Sequence, residues 1–139
     1  MARLLAIDYG GKRTGLAATD PSKIIVSPLQ TVDTTNLTPF LKDYLNNNKV
    51  EKIIIGFPVN PNGGENPIVA QIRLFVANLQ KLFPEIPMEF YDEQYTSKAA
   101  ASAMVAGGFS KKYRQTKGNT DKMAAAFILQ GWMQENGYN

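Results

Sequence analysis

Chemistry in this chain has to rest on oxygen donors and amines. Its 139 residues contain no His and no Cys. That excludes Ser-His-Asp triads, thiol nucleophiles, disulfides and zinc held by His or Cys. Carboxylates remain, together with any hard cation they can hold. Asp8 closes a short apolar run, Asp92 and Glu93 close another, and Asp121 falls at the start of the last helical pattern. In open α/β sheets the C-terminal ends of strands border the ligand crevice. Carboxylates converging there from different elements are the usual protein ligands of Mg2+ or Mn2+. Taken singly, each acid also has a plainer role. Asp121 in particular would complement a helix dipole, a contribution of about 0.3–1 kcal/mol.

The basic residues are distributed unevenly. The net charge is +3, but between Glu93 and Asp121 there is no acid, while Lys98, Lys111, Lys112, Arg114 and Lys117 all fall there. The rest of the chain is slightly acidic. One segment therefore carries the positive character, as expected of a protein that meets polyanions, or of a solvated loop. Tyr113 lies among those cations, although one aromatic is a small stacking platform. Lys12 and Arg13 sit at an expected hairpin tip, suited to a phosphate backbone or simply to solvent. Asn60 and Gly63 belong to a Gly/Pro/Asn loop that could face a substrate.

These residues need elements to position them. Residues 4–7 read as a buried strand, and Tyr9-Gly10-Gly11-Lys12 as the turn into a second strand over 14–18. Residues 24–32 offer a third strand, with Pro28 suited to an edge. Thr38-Pro39 reads as a helix start that ends at Asn46-Asn47-Asn48. Lys52-Ile53-Ile54-Ile55-Gly56 is the continuous apolar run of a strand covered on both faces. Ile68, Ile72, Phe75, Val76, Leu79 and Leu82 recur at helical spacing before Pro84. Residues 88–92 form another strand, 97–105 an Ala-rich helix, and Asn119 or Thr120 caps a last helix holding Met123, Phe127, Ile128 and Trp132. This order, β-β-β-α-β-α-β-α-α, implies an α/β fold with a sheet of mixed direction. The length suits a single domain over residues 1–139. No apolar run approaches the roughly 20 residues of a membrane span, and Asp8 interrupts the N-terminal run before a secretory segment could form. A cytoplasmic protein is expected.

Four blocks of residues, in order, resemble one family end to end. Ile7-Asp8-Tyr9-Gly10-Gly11-Lys12-Arg13-Thr14-Gly15 is similar to D-[FY]-G-x-[KR]-R-x-G, and Ile55-Gly56-Phe57-Pro58-Val59-Asn60 with Gly63 to V-G-[LF]-P-x-[NH]-x-x-G. Asp92-Glu93-Gln94-Tyr95-Thr96-Ser97 is similar to D-E-R-x-[TS]-[TS], and the stretch from Asp121 through Ala124, Ala125, Ile128 and Leu129 to D-x-x-A-A-x-x-I-L. The pattern is that of the YqgF/RuvX family, RNase H-like nucleases named for Holliday junction resolution and pre-16S rRNA processing.

The resemblance implies an RNase H-like mixed β-sheet flanked by helices. It also implies a metal-dependent endonuclease acting on precursor rRNA or branched DNA. Asp8, Glu93 and Asp121 would be the catalytic acids and the ligands of Mg2+ or Mn2+. Two cations about 4 Å apart would flank the scissile phosphate. Of the adjacent pair Asp92 and Glu93 only one can face the site, and the family match points to Glu93. Lys12, Arg13, Asn60, Lys111, Lys112 and Arg114 would hold the nucleic acid. Gln94 stands where the family usually has Arg, and Lys117-Gly118-Asn119-Thr120 also departs from the pattern. The missing Arg at Gln94, with three acids where related resolvases often have four, leaves a second expectation open, a nucleic-acid-binding factor without catalysis. A related phosphate loop occurs in sugar kinases and actin-like ATPases, but those need two such domains.

Overall fold

The computed structural model describes residues 2–58, 67–92 and 119–138, and for residues 119–121 the backbone alone. Three strands come first: β1 (Arg3–Asp8), β2 (Arg13–Thr19) and β3 (Val26–Asp33). A 3-10 turn (Thr34–Asn36) leads into helix α1 (Leu37–Asn47), which is followed by β4 (Val50–Phe57). Helix α2 (Ile68–Leu82), strand β5 (Met88–Asp92) and helix α3 (Asn119–Glu135) complete the described chain. The expected helix over 97–105 lies outside it.

The five strands form one sheet in the order β3-β2-β1-β4-β5. β1 pairs antiparallel with β2 and β2 with β3, while β1, β4 and β5 run parallel. The mixed direction expected from the element order is therefore present. Because β1, β4 and β5 are parallel, their C-terminal ends share one edge of the sheet.

Side chains alternate across a strand, and here each set is buried under a different layer. Leu5, Ile7, Leu16, Ile53 and Ile55 pack against Leu37, Leu41, Ile72, Val76 and Leu79 of α1 and α2. Leu4, Ala6 and Ile54 pack on the other face against Ile128, Leu129, Trp132 and Met133 of α3. Ala17 meets Ala125 and Ala126, so small residues let the N-terminal half of α3 approach β2 closely. Central strands covered on both sides lose the polar–apolar alternation of a half-exposed sheet, which is why β1 is apolar from Leu4 to Ile7 and β4 from Ile53 to Ile55.

Several boundaries differ from expectation by a residue or two: β4 begins at Val50 rather than Lys52, and Asn119, expected as a cap, is already helical. α1 begins one residue before Thr38, with Asn36 as its N-cap and no side-chain cap hydrogen bond. β3 begins at Val26 because the Asp20 carboxylate captures the preceding loop. Its Oδ1 accepts from the backbone N–H of Ile24 and of Ile25, both at 2.8 Å, and Oδ2 accepts from Ser22 N–H at 3.1 Å. Those bonds hold the Asp20 carboxyl below its usual range and leave Ile24 and Ile25 exposed.

Candidate functional site

Asp8 ends β1 on the face covered by α3, because it shares parity with Leu4 and Ala6. Its cross-strand partner on β2 is Gly15. On β4, Gly56 follows Ile55, the partner of Ile7. The half-buried carboxylate thus stands between two strand positions that carry no side chain.

Asp92 ends β5 and pairs with Phe57 at the same sheet edge. Its parity is the opposite one. Glu89 and Tyr91 face α3: Trp132 Nε1 donates to Glu89 Oε2, and the Tyr91 hydroxyl donates to Glu135 Oε1 at 3.2 Å. Asp92 therefore shares its face with Met88, which packs toward α1 and α2. Glu93 lies outside the described residues. Asp121 falls in the first turn of α3, and its side chain is likewise outside them. Among the described residues no three acidic side chains come together as a metal-holding group.

The turn after Asp8 is tight. A Cβ at Gly10 would lie 2.1 Å from the carbonyl oxygen of Arg13, so the turn accepts only glycine there. Gly10 N–H donates to Thr14 Oγ1 at 3.4 Å, Thr34 Oγ1 donates to Gly10 O at 2.6 Å, and the two hydroxyls are 2.9 Å apart. Thr34 N–H also donates to Lys12 O at 2.9 Å. Tyr9 packs on Phe75 of α2, ring centroids 5.1 Å apart. Lys12 at the tip is exposed, whereas Arg13 is half-buried and pairs with Asp33 in the ladder. Asn60, Lys111, Lys112 and Arg114 lie outside the described residues.

Two groupings had no signal in sequence. One is the Thr14–Thr34 pair, contributed by β2 and by the turn after β3. The other ties β5 to α3: Lys52 Nζ lies 3.4 Å from Glu89 Oε1 and 5.1 Å from the centroid of the Trp132 ring. A Cβ on Gly131 would come within 2.6 Å of the Tyr91 hydroxyl, so the absence of a side chain there lets Tyr91 lie against α3. Both groupings join residues far apart in the chain, which periodicity does not report. No helix among the described residues is long and apolar enough to cross a membrane.

The sequence profile of the RuvX family, described as Holliday junction resolvase, matches residues 2–135. A protein of Christiangramia forsetii named "Putative pre-16S rRNA nuclease" is 46% identical over 135 residues, covering 97% of this chain and 100% of that one. A protein of the same name from Phocaeicola vulgatus is 45% identical over 138 residues, 99% of each chain. Among solved structures, RuvC of T. thermophilus in complex with a Holliday junction substrate superposes with a TM-score of 0.61. That likeness covers 99% of this chain and 97% of RuvC at 14% identity, and it shows a common fold, the α/β RNase H-like one.

Proposed function

The chain belongs to the RuvX family of Holliday junction resolvases, and from that premise we propose that it is a divalent-metal-dependent endonuclease that trims precursor 16S rRNA. The observation carrying this is a family match over nearly the whole chain, with Asp8 where a hydrolytic site needs it. The RNA substrate is supported by the name that the curated relatives share.

The residues present fit a hard cation. Asp8 offers carboxylate oxygens at the edge where β1, β4 and β5 end, and the glycines at positions 15 and 56 leave room beside it. Glu93 is the second ligand in this reading. The alternation of β5, with Glu89 and Tyr91 toward α3, supports it over Asp92, since the same alternation continued by one residue would carry position 93 to the face of Asp8. Asp121 is the third. Its position precedes Ala125, Ile128 and Trp132 at helical spacing, the stripe that α3 buries against the sheet.

Mg2+ or Mn2+ held there would supply Lewis-acid polarisation of the scissile phosphate and a water of lowered pKa. The chain's own part is to fix the carboxylates and hold the strand. Lys12 and Arg13, close to Asp8 in the hairpin, would take neighbouring phosphates, and the resemblance gives Asn60, Lys111, Lys112 and Arg114 further contacts to the nucleic acid. Such contacts set position and affinity without reading bases. A ribosomal precursor as substrate places the protein in the cytoplasm.

The test is to incubate purified protein with a 16S precursor and with four-way DNA junctions, with and without Mn2+, and to map the products. Metal-dependent cuts in the precursor support the proposal. Cleavage of junctions alone would reassign the substrate to branched DNA, and no cleavage of either would overturn the enzymatic reading.

A further inference from the structure

The Gly10 turn is closed by more than its own hairpin. Thr34 has one hydroxyl proton, and it goes to the Gly10 carbonyl. The 2.9 Å contact between the two threonines is therefore donated by Thr14, whose oxygen also accepts from Gly10 N–H. The result is a closed ring in which Gly10 gives and receives one hydrogen bond each. Thr34 adds a fourth bond from its backbone N–H to Lys12 O. Thr14 is fully buried, so its hydroxyl depends on these partners.

A turn containing two successive glycines would otherwise be loose, and a hairpin of this kind is already closed by the β1–β2 ladder. What the ring adds is a fixed shape for residues 9–12, between Asp8 and Arg13, imposed from the end of β3. We infer that Thr14 and Thr34 are positioning residues for the substrate strand. They hold the loop so that Lys12 and Arg13 meet the phosphates beside the one cleaved at Asp8. Preordering the loop removes an entropy cost that binding would otherwise carry. The effect belongs to binding, because Asp8 itself is fixed by β1.

The inference rests on the nuclease reading above, and its test separates the two. Thr34→Val keeps the shape of the side chain and removes the hydroxyl; Thr34→Ser restores it; Thr14→Val opens the ring at another point. For each, the Kd for precursor RNA without metal is measured by fluorescence anisotropy, and KM and kcat with metal. Loss of this preordering predicts Kd and KM raised about fivefold to tenfold in both valine variants, equivalent to about 1–1.4 kcal/mol. Their kcat should stay near wild type, and Thr34→Ser should bind like wild type. Valine variants that melt earlier but keep wild-type Kd and KM would reduce the ring to a structural role and overturn the inference. If Thr34→Val does not fold, the comparison of Thr14→Val with Thr34→Ser decides on the same criteria. Wild-type protein that binds RNA but never cuts it would refute the nuclease reading, while the Kd comparison still decides on the ring.

Discussion

Replacing Ile128 with alanine separates the docking of α3 from the stability of the sheet as a whole. Ile128 is wholly buried in the cluster it forms with Leu4, Ala6 and Ile54. The change removes three carbons, a loss of about 2.4 kcal/mol at about 0.8 kcal/mol per buried methylene. The residual cavity adds to this, and the higher helix propensity of alanine returns roughly 0.4 kcal/mol. A net cost of about 3 kcal/mol should lower the urea midpoint without changing the slope. Against a typical total of about 5–15 kcal/mol the variant stays folded at room temperature.

Ile72→Ala is the control. Ile72 is equally buried but sits on α2 against the opposite face, and it loses the same three carbons. The two variants should be destabilised alike and behave differently in cleavage. Ile128 lies two turns after Asp121 on one stripe, so loosening it should raise the metal concentration needed for half-maximal cutting. Ile72→Ala should leave that concentration within about twofold of wild type, as expected of distant sites. Equal shifts in both variants, or none in Ile128→Ala, would refute the claim that α3 docking positions an acidic ligand.

Three other outcomes are expected. Glu93→Gln should disable cleavage far more than Asp92→Asn, because Asp92 shares the face of Met88; equal losses with folding intact would count against the assignment. Neutralising Lys111, Lys112 and Arg114 together should weaken binding alike across sequences and make the log–log salt dependence shallower by about 0.7–0.9 for each phosphate that is no longer neutralised; an unchanged slope would leave that segment as a solvated loop. The Tyr91 phenol is raised above its usual 10.0 by burial and then by the charge of Glu135. Its contribution to stability is therefore complete below pH 10 and lost as pH rises through the raised pKa, which ultraviolet titration against Tyr91→Phe would detect.

Much of this was legible because burial on two sides leaves a plain signature. Ile53, Ile54 and Ile55 announce a central strand whichever face each serves. The stripe of Ile72, Val76 and Leu79 announces α2, although Leu82 proves exposed and Val69 buried. The strand-end placement of Asp8 and Asp92 followed from the same runs. Which of Asp92 and Glu93 faces α3 could not be read locally, since it depends on what Glu89 and Tyr91 touch across the sheet. The start of β3 is hidden in sequence for a similar reason: Ile24 and Ile25 look like strand residues, yet the Asp20 carboxylate accepts from their N–H groups. The Thr14–Thr34 ring joins residues 20 apart, and an isolated Thr in a strand carries no mark of its partner.

If Asp8 holds a divalent cation for phosphodiester cleavage at the end of β1, Asp8→Asn should abolish cutting. The substitution keeps the size of the side chain and one acceptor oxygen, turns the other oxygen into an NH2 donor, and removes the charge that would hold the cation. Cleavage of precursor RNA is measured for wild type and variant across a Mg2+ and Mn2+ titration, with circular dichroism as the check on folding. Wild type should cut only when a divalent cation is present, and folded Asp8→Asn protein should bind the RNA but not cut it at any metal concentration. Undiminished cleavage by the variant, or wild-type cleavage in chelator, would contradict this assignment.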